Sequence, residues 1–401
     1  MLYFVKESNI KSDMKNIKVL VYIRIAFVFS AEIISFSEKR GVVIVPVADM
    51  VSTPLLYNDL PYACIENDKQ ISCSRVHQLL FNDRVTILKE ESSGFLILTK
   101  HVFSFNGNKR IAQTCWIDKK NIALFEDLTT KKLHQSHFPP ERIDKIIRNR
   151  TVLTLKKPFF EQKTGLTFSV GTQFIILKKQ KEQCLVTIFD PKKYTFISQF
   201  IPKKYYWESV HGNQEKQNQY VDLIREWISS SDGYIPYVWG GTSFTSLVSE
   251  NSLRLENFCY TRSALAGTIK TGFDCSSLIL RAAQICSIPY FFKNTTTLAY
   301  YLRPLALGEK AQKGDLIFFP GHVQIISDIE KNLIIEAAGY KSGYGRVHEK
   351  KIREIFQDKT TIDSLVAAYH AKEKLSRLNR DGTVEMVPYC KILSFSSVWT
   401  A

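Results

Sequence analysis

Three residues in the C-terminal half of the chain carry side chains that could share one reaction. Cys275 stands in TGFDCSSL, His322 in FFPGHVQII and Glu336 in LIIEAAG. A thiol, an imidazole and a carboxylate within reach of one another can run nucleophilic catalysis. The thiol attacks, the imidazole moves the proton, and the carboxylate fixes the imidazole tautomer. Each has a plainer reading when taken alone. Cys275 could be a capped core cysteine, His322 a satisfied residue at a strand mouth, and Glu336 an exposed strand carboxylate.

The elements around these residues decide between the readings. Asp274 is a favourable N-cap, which puts Cys275 in a first helical turn, where the dipole and free amides favour a thiolate. The helix predicted over 275–288 carries Leu278, Ile279, Ala282, Ala283 and Cys286 on one face. His322 follows the turn Pro320-Gly321 and opens an apolar strand. If HVQIISDI and NLIIEAAG pair as a hairpin through Asp328–Asn332, His322 lies opposite a residue a few places beyond Glu336. Glu336 would then be close enough to hold the ring. Upstream, QYVDLIREWI predicts a helix from Tyr220, Val221, Ile224, Trp227 and Ile228. GDLIFFPG, HVQIISDI, NLIIEAAG and SLVAAYH read as successive strands, so a helix precedes an antiparallel meander and the class is α+β.

From about residue 40 to 205 the chain shows short runs at period two, such as GVVIVPVA, RVTILKEE, GFLILTKHVF, TVLTLKK, TQFIILKK and CLVTIFD. They predict two small all-β units, at 40–127 and 146–205, joined through the polar, Pro139-Pro140-bearing stretch 128–145. HGNQEKQNQ then leads into a mixed domain over 215–375, and 376–401 carries no pattern that assigns it. Residues 14–37 have a basic start, an apolar run and small residues, the layout of a secretory signal within 1–36. Arg24 interrupts the run, and a buried strand or a membrane anchor are its competing readings. Met14 reads as a more natural start than Met1.

Composition bounds the partners. The net charge is +15 over 401 residues, with 54 Lys+Arg against 39 Asp+Glu. A basic surface favours anionic partners such as nucleic acid, anionic lipid or an acidic wall polymer. No zinc-finger spacing, phosphate-binding loop or RNA-binding aromatic signature is present, so no nucleic-acid partner is expected. Of eight cysteines none forms a C-x-x-C pair, which leaves a zinc or dithiol redox site without support. Cys64 and Cys73 could close a hairpin as a disulfide or remain two thiols. No metal or organic cofactor is expected.

The motifs together resemble the NlpC/P60 family of cell-wall cysteine peptidases. YVWGG (237–241), GFDCSSL (272–278), GDLIFF (314–319), GHVQII (321–326) and IIEAAG (334–339) occur in that family's order. The resemblance implies a papain-like core in which Cys275 is the nucleophile, His322 the general base and Glu336 the third polar residue. Upstream, VPVADMVS, QLLFNDRVTIL and FSVGTQFIIL resemble bacterial SH3 (SH3b) domains, so 40–127 and 146–205 are expected to be SH3b-like barrels. Such modules precede the catalytic domain in the branch that cleaves γ-D-glutamyl–diamino acid bonds in peptides with a free N-terminal L-alanine. The resemblance then implies that Asp274 and Ser276 contact substrate, with Asp274 receiving the free amine, and that Tyr237 lines the cleft and supports the oxyanion.

Three departures bear on this expectation. Glu336 stands where the family has His, Asn or Gln, and a carboxylate would hold His322 as imidazolium, favouring a resting ion pair with the thiolate or marking an altered site. Ser277 stands where glycine is common. About thirty residues separate WGG from GFDC, as a lid, a specificity wall or a surface excursion. The function expected is hydrolysis of a muropeptide amide by an exported enzyme of the periplasm or envelope, with cytoplasmic muropeptide recycling as the other location. The competing readings are a thiol amidase or acyltransferase on another wall or lipid amide, and a wall-binding protein without catalysis.

Overall fold

The computed structural model describes residues 39–52, 65–67, 70–72, 75–92, 94–106, 109–140, 151–207, 212–230, 232–249 and 271–400. The signal-like segment, Cys64, Cys73, and most of the stretch between WGG and GFDC lie outside the described residues. Among those described, no helix is long and apolar enough to cross a membrane. The chain divides into two units, one ending at Lys39 and the other running from Arg40 to Ala401. The second unit holds the cores and the three candidate residues.

Seven strands form the first sheet: β1 (Lys39–Val43), β2 (Val47–Val51), β3 (Arg75–Leu80), β4 (Arg84–Glu90), β5 (Gly94–Asn106), β6 (Lys109–Asp118) and β7 (Ile122–Leu124), in the order β3-β2-β6-β5-β4-β1-β7. Period two shows in its core, where Val85 and Ile87, Phe95 and Ile97, and Cys115 and Ile117 are buried together. GVVIVPVA makes two strands rather than one, because the chain leaves the ladder between Val43 and Val47. Helix α1 (Phe125–Thr130) follows. The segment read as a connection buries Leu128 and Phe138 in the core of a second sheet. That sheet contains β8 (Val152–Thr154), β9 (Gln173–Lys179), β10 (Gln183–Asp190) and β11 (Thr195–Pro202) in sequential order. Both are strand assemblies that run as open sheets.

The remaining half builds one five-stranded antiparallel sheet from β12 (Leu316–Phe319), β13 (His322–Asp328), β14 (Leu333–Ala338), β15 (Arg346–Lys351) and, after the hairpin β16 (Leu375–Leu378) with β17 (Val384–Val387), β18 (Lys391–Leu393). The order is β15-β14-β13-β12-β18. Side chains alternate between its faces. Leu316, Phe318, Val323, Ile325, Ile335 and Ala337 pack against α2 (Asn213–Ile228) and α3 (Cys275–Ile285). Ile317, Phe319, Ile326 and Ile334 face the other way, toward Ile352, Phe356 and β16. The unassigned tail is therefore structural: β18 closes an edge of the sheet, and Phe395 and Val398 are buried in the main core.

Helix α4 (Thr295–Tyr301) follows α3. SLVAAYH, expected as a strand, is helical within α5 (Ile362–Ala371). Thr361 and Ser364 form a capping box, and Ile362, Leu365 and Ala368 are the buried positions. Three-residue spacing of buried groups, with a cap, outweighs the short apolar run that suggested a strand.

Candidate active site

Cys275 is the first residue of α3, and local sequence sets that boundary. Asp274 Oδ1 accepts the Ser277 amide at 2.7 Å, and Ser277 Oγ accepts the Asp274 amide at 3.0 Å. This reciprocal box satisfies donors that a helix start leaves open. Ser277 Oγ also donates to the Gly241 carbonyl, so the serine that stands in place of glycine ties the helix start to YVWGG. Gly272 permits the approach: a Cβ there would overlap the Pro236 carbonyl and lie 2.6 Å from Val238 Cγ2. Gly272→Ala is therefore expected to cost about 1–3 kcal/mol and to move Cys275. Thermal unfolding measured beside activity tests this, and an unchanged midpoint would show that the segment gives way freely.

The acidic and hydroxyl groups flanking the thiol are internally engaged. Ser276 Oγ donates to Asp274 Oδ1 at 2.9 Å, and Lys293 Nζ reaches Asp274 Oδ2 at 2.7 Å. Burial works to raise the Asp274 pKa, but Lys293 and the Ser277 bonds outweigh it and hold the carboxyl below its usual value. Lys293 is itself fixed by the first sheet: its amide donates to the Phe103 carbonyl at 3.2 Å, and the Phe103 amide to the Phe291 carbonyl at 2.9 Å.

His322 opens β13 through a two-residue turn in which Phe319 and His322 are paired and Gly321 takes φ +81°. A proline followed by a left-handed glycine suits that turn. Ile325 pairs with Ile335, a register that puts Gln324 opposite Glu336 and His322 one diagonal step away. His322 Nε2 meets Glu336 Oε2 at 2.7 Å. With Nε2 committed to Glu336, Nδ1 is the ring nitrogen outside that contact. The next residue, Val323, gives its amide to the Cys275 sulfur. The helix that begins at Cys275 and the strand that begins at His322 therefore meet where β13 starts.

Glu336 is almost wholly buried and heavily used. Gln324 Nε2 donates to Oε2 at 2.8 Å, His348 Nε2 meets Oε1 at 3.0 Å, and Arg377 Nη2 meets Oε2 at 2.9 Å. Burial pushes its pKa up, but Arg377 and the two histidines hold the carboxyl well below the carboxylate range. His322 moves the other way from the expectation of a resting imidazolium. Burial lowers its pKa, the Glu336 bond raises it, and Arg377 and His348 lower it again, leaving a net lowering. Arg377 already balances the carboxylate, so Glu336 orients the ring without charging it. The Cys275 thiol is pushed up to about 12, by burial and then by Asp274, against the Val323 amide, Lys293 and the Ser276 amide. Burial thus works against the helix dipole at Cys275, and both shifts run toward the neutral forms of the thiol and the imidazole.

A cleft of about 260 Å³ opens beside His322, walled by Tyr237, Gly321, Arg377, Met386 and Pro388 among others. Of the six residues expected from sequence, Cys275, Asp274 and Ser276 cluster at the helix start, His322 and Glu336 are joined, and Tyr237 lines the cleft. Lys293, Gln324, His348 and Arg377 were not anticipated. Gln324 and His348 had a signal, since alternation from His322 and the β14–β15 register, which pairs Glu336 with His348, put them on one face. Among the described residues no cluster of His, Cys, Asp and Glu has the arrangement of a metal site.

Comparison with known proteins bears on the same segment. No curated protein matches the chain. An NlpC/P60 family protein from Bacillus cereus ATCC 10987 aligns over 78% of this chain and 94% of its own, at 14% identity and a TM-score of 0.47. NlpC2 from Trichomonas vaginalis aligns over 79% and 94%, at 13% identity and a TM-score of 0.31. The peptidoglycan hydrolase RipB from Mycobacterium tuberculosis aligns over 36% and 67%, at 23% identity and a TM-score of 0.23. The NlpC/P60 family model matches residues 234–363, from just before the YVWGG segment into α5 and across Cys275, His322 and Glu336, and this part of the chain is an NlpC/P60 family domain.

Proposed function

We propose that the chain is a cysteine peptidase that hydrolyses the γ-D-Glu–diamino acid amide of peptidoglycan stem peptides. The observation that carries the chemistry is the buried His322–Glu336 bond at 2.7 Å, at the strand end whose next amide holds the Cys275 sulfur. The NlpC/P60 family match supports the substrate class. Export to the envelope, and SH3b-like roles for the two strand-rich units, belong to the same reading.

Catalysis starts from the neutral pair. As Cys275 Sγ attacks the amide carbon, its proton passes to His322 Nδ1, so charge develops only with the substrate in place. The Cys275 amide, at the first helical position, has no acceptor within its helix and can donate to the forming oxyanion. Tyr237 lines the cleft beside His322. His322 then protonates the leaving amine, the C–N bond breaks, and a thioester remains. Water attacks that thioester and gives its proton to His322; the C–S bond breaks, the carboxylic acid product leaves, and the Cys275 sulfur takes the proton back from His322.

The free-amine requirement implied by resemblance meets a physical obstacle. Asp274 already accepts from Lys293, from the Ser276 hydroxyl and from the Ser277 amide, so an incoming ammonium would have to displace a buried partner. L-Ala-γ-D-Glu-meso-diaminopimelate and its N-acetyl form are expected to be cut at rates within about threefold of each other, a difference of under about 1 kcal/mol. Mass spectrometry of the released dipeptide measures this. Cleavage of the free-amine peptide alone would restore the gate, and cleavage of neither would end the peptidase reading in favour of an acyltransferase or a wall-binding protein.

A further inference from the structure

The family match ends at residue 363, yet the cleft and the buried carboxylate are completed by the hairpin β16–β17 beyond it. We propose that Arg377, on β16, is a positioning residue of the active site: it is the counter-charge of Glu336, and through Glu336 it keeps His322 neutral and free to take the Cys275 proton.

The geometry is specific. Arg377 is 6% exposed and Glu336 2%, so their 2.9 Å contact is shielded from water. Arg377 is held in place by its strand, which pairs with β17 over Leu375–Leu378, and by a bridge to Phe356. Its guanidinium lies 5.3 Å from the centre of the Phe319 ring, which itself packs on His322 with centroids 5.2 Å apart. The same arginine therefore borders the base through a charge contact and a ring contact.

The buried charges balance locally. The groups facing Glu336 are His322 and Gln324 on β13, His348 on β15 and Arg377 on β16. Around His322 itself lie these groups together with Cys275 on α3 and Tyr237 at the cleft. One carboxylate and one guanidinium sum to zero, which leaves no uncompensated charge beside His322. Without Arg377 the buried carboxylate would be uncompensated, and the group nearest to hand for restoring balance is a proton on a histidine. His322, bonded to the same Oε2 as Arg377, is the closer of the two electrostatically. A protonated His322 can still orient, but it cannot accept the thiol proton.

This inference rests on the peptidase reading for its consequence, but its test does not need a substrate. Arg377→Gln, Arg377→Lys and the double variant Glu336→Gln/Arg377→Gln are compared with the unaltered full chain by NMR titration of the histidine ring protons. In Arg377→Gln the His322 ring is expected to titrate about one unit or more higher, and in Arg377→Lys within a few tenths of the unaltered protein. Removing both charges should return His322 to its low value. In the peptide assay the acidic limb of kcat/KM should move up with the His322 titration, so that activity lost near neutrality is recovered at higher pH. An unmoved His322, or a proton that goes to His348 instead, would overturn the proposal even if activity falls, because Arg377 would then be only a wall of the cleft. If Arg377→Gln does not fold, the double variant decides. Recovery of folding supports a counter-charge, and continued failure argues for a purely steric role.

Discussion

Cys275→Ala is expected to lose hydrolysis by about 10⁴-fold or more while keeping its fold, because removing a covalent nucleophile removes the step and not merely a contact. The thiol sits at the first position of a helix whose box is made by Asp274 and Ser277, neither of which uses the Cys275 side chain. Deleting one sulfur from a buried site costs on the order of 1–2 kcal/mol, well short of unfolding a domain of this size. Cys275→Ser should be almost as inactive. A hydroxyl is a weaker acid than a thiol, and a neutral His322 whose basicity is already lowered is a poor match for it. The measurement is release of the dipeptide product by mass spectrometry, with thermal unfolding recorded on the same samples. Residual turnover above a few per cent in Cys275→Ala would place the nucleophile elsewhere. A large loss of stability in that variant would mean that the activity change reports folding.

The parts of this site that could be read from sequence are those fixed by local chemistry. Asp274 before Cys275 defines a helix start, Pro320-Gly321 before His322 defines a two-residue turn, and alternation along LIIEAAG defines which face Glu336 shares. These features need only neighbours within a few residues, so the register that joins His322 to Glu336 followed from them. The charge state did not. It depends on Arg377, forty-one positions after Glu336 in sequence, and on Lys293 at the other end of the site, held by backbone bonds to β5. Neither arginine nor lysine stands in a stretch with a chemical pattern of its own. The thiolate expected at a helix N-terminus is opposed by burial for a related reason. Sequence shows the dipole, worth fractions of a kcal/mol to about 2 kcal/mol, but not the burial that outweighs it. SLVAAYH failed because a short apolar run is ambiguous until its cap and its buried face are known.

Glu336→Leu is expected to be the most damaging single change to stability in the chain's C-terminal half. Leucine fits the volume but leaves Arg377 buried without its partner and removes the acceptor shared by His322, His348 and Gln324. Stranding one member of a buried ion pair costs about 3–5 kcal/mol, which for a domain of about 150–250 residues lowers the unfolding midpoint by about 6–20 °C. Glu336→Gln should cost somewhat less, since an amide oxygen can still accept from His322, but its NH₂ must then face another donor. The pH dependence identifies the cause. The Glu336 carboxyl lies well below its ordinary value in the folded protein. Its stabilisation is therefore fully present above about pH 4.3, and is lost progressively as pH falls from there toward the folded value. His322, also lowered in the fold, contributes stability that is full above about pH 6.5 and declines as pH falls toward its own folded value. The gap between the unaltered protein and Glu336→Leu should accordingly narrow by about 1–2 kcal/mol between about pH 6 and about pH 3, as the unaltered protein loses its carboxylate stabilisation and the variant has none to lose. Urea unfolding at the two pH values reads the gap directly. If it is as wide at the acidic value as near neutrality, the cost belongs to packing, and the charge balance between Glu336 and Arg377 is not what holds this face of the sheet together.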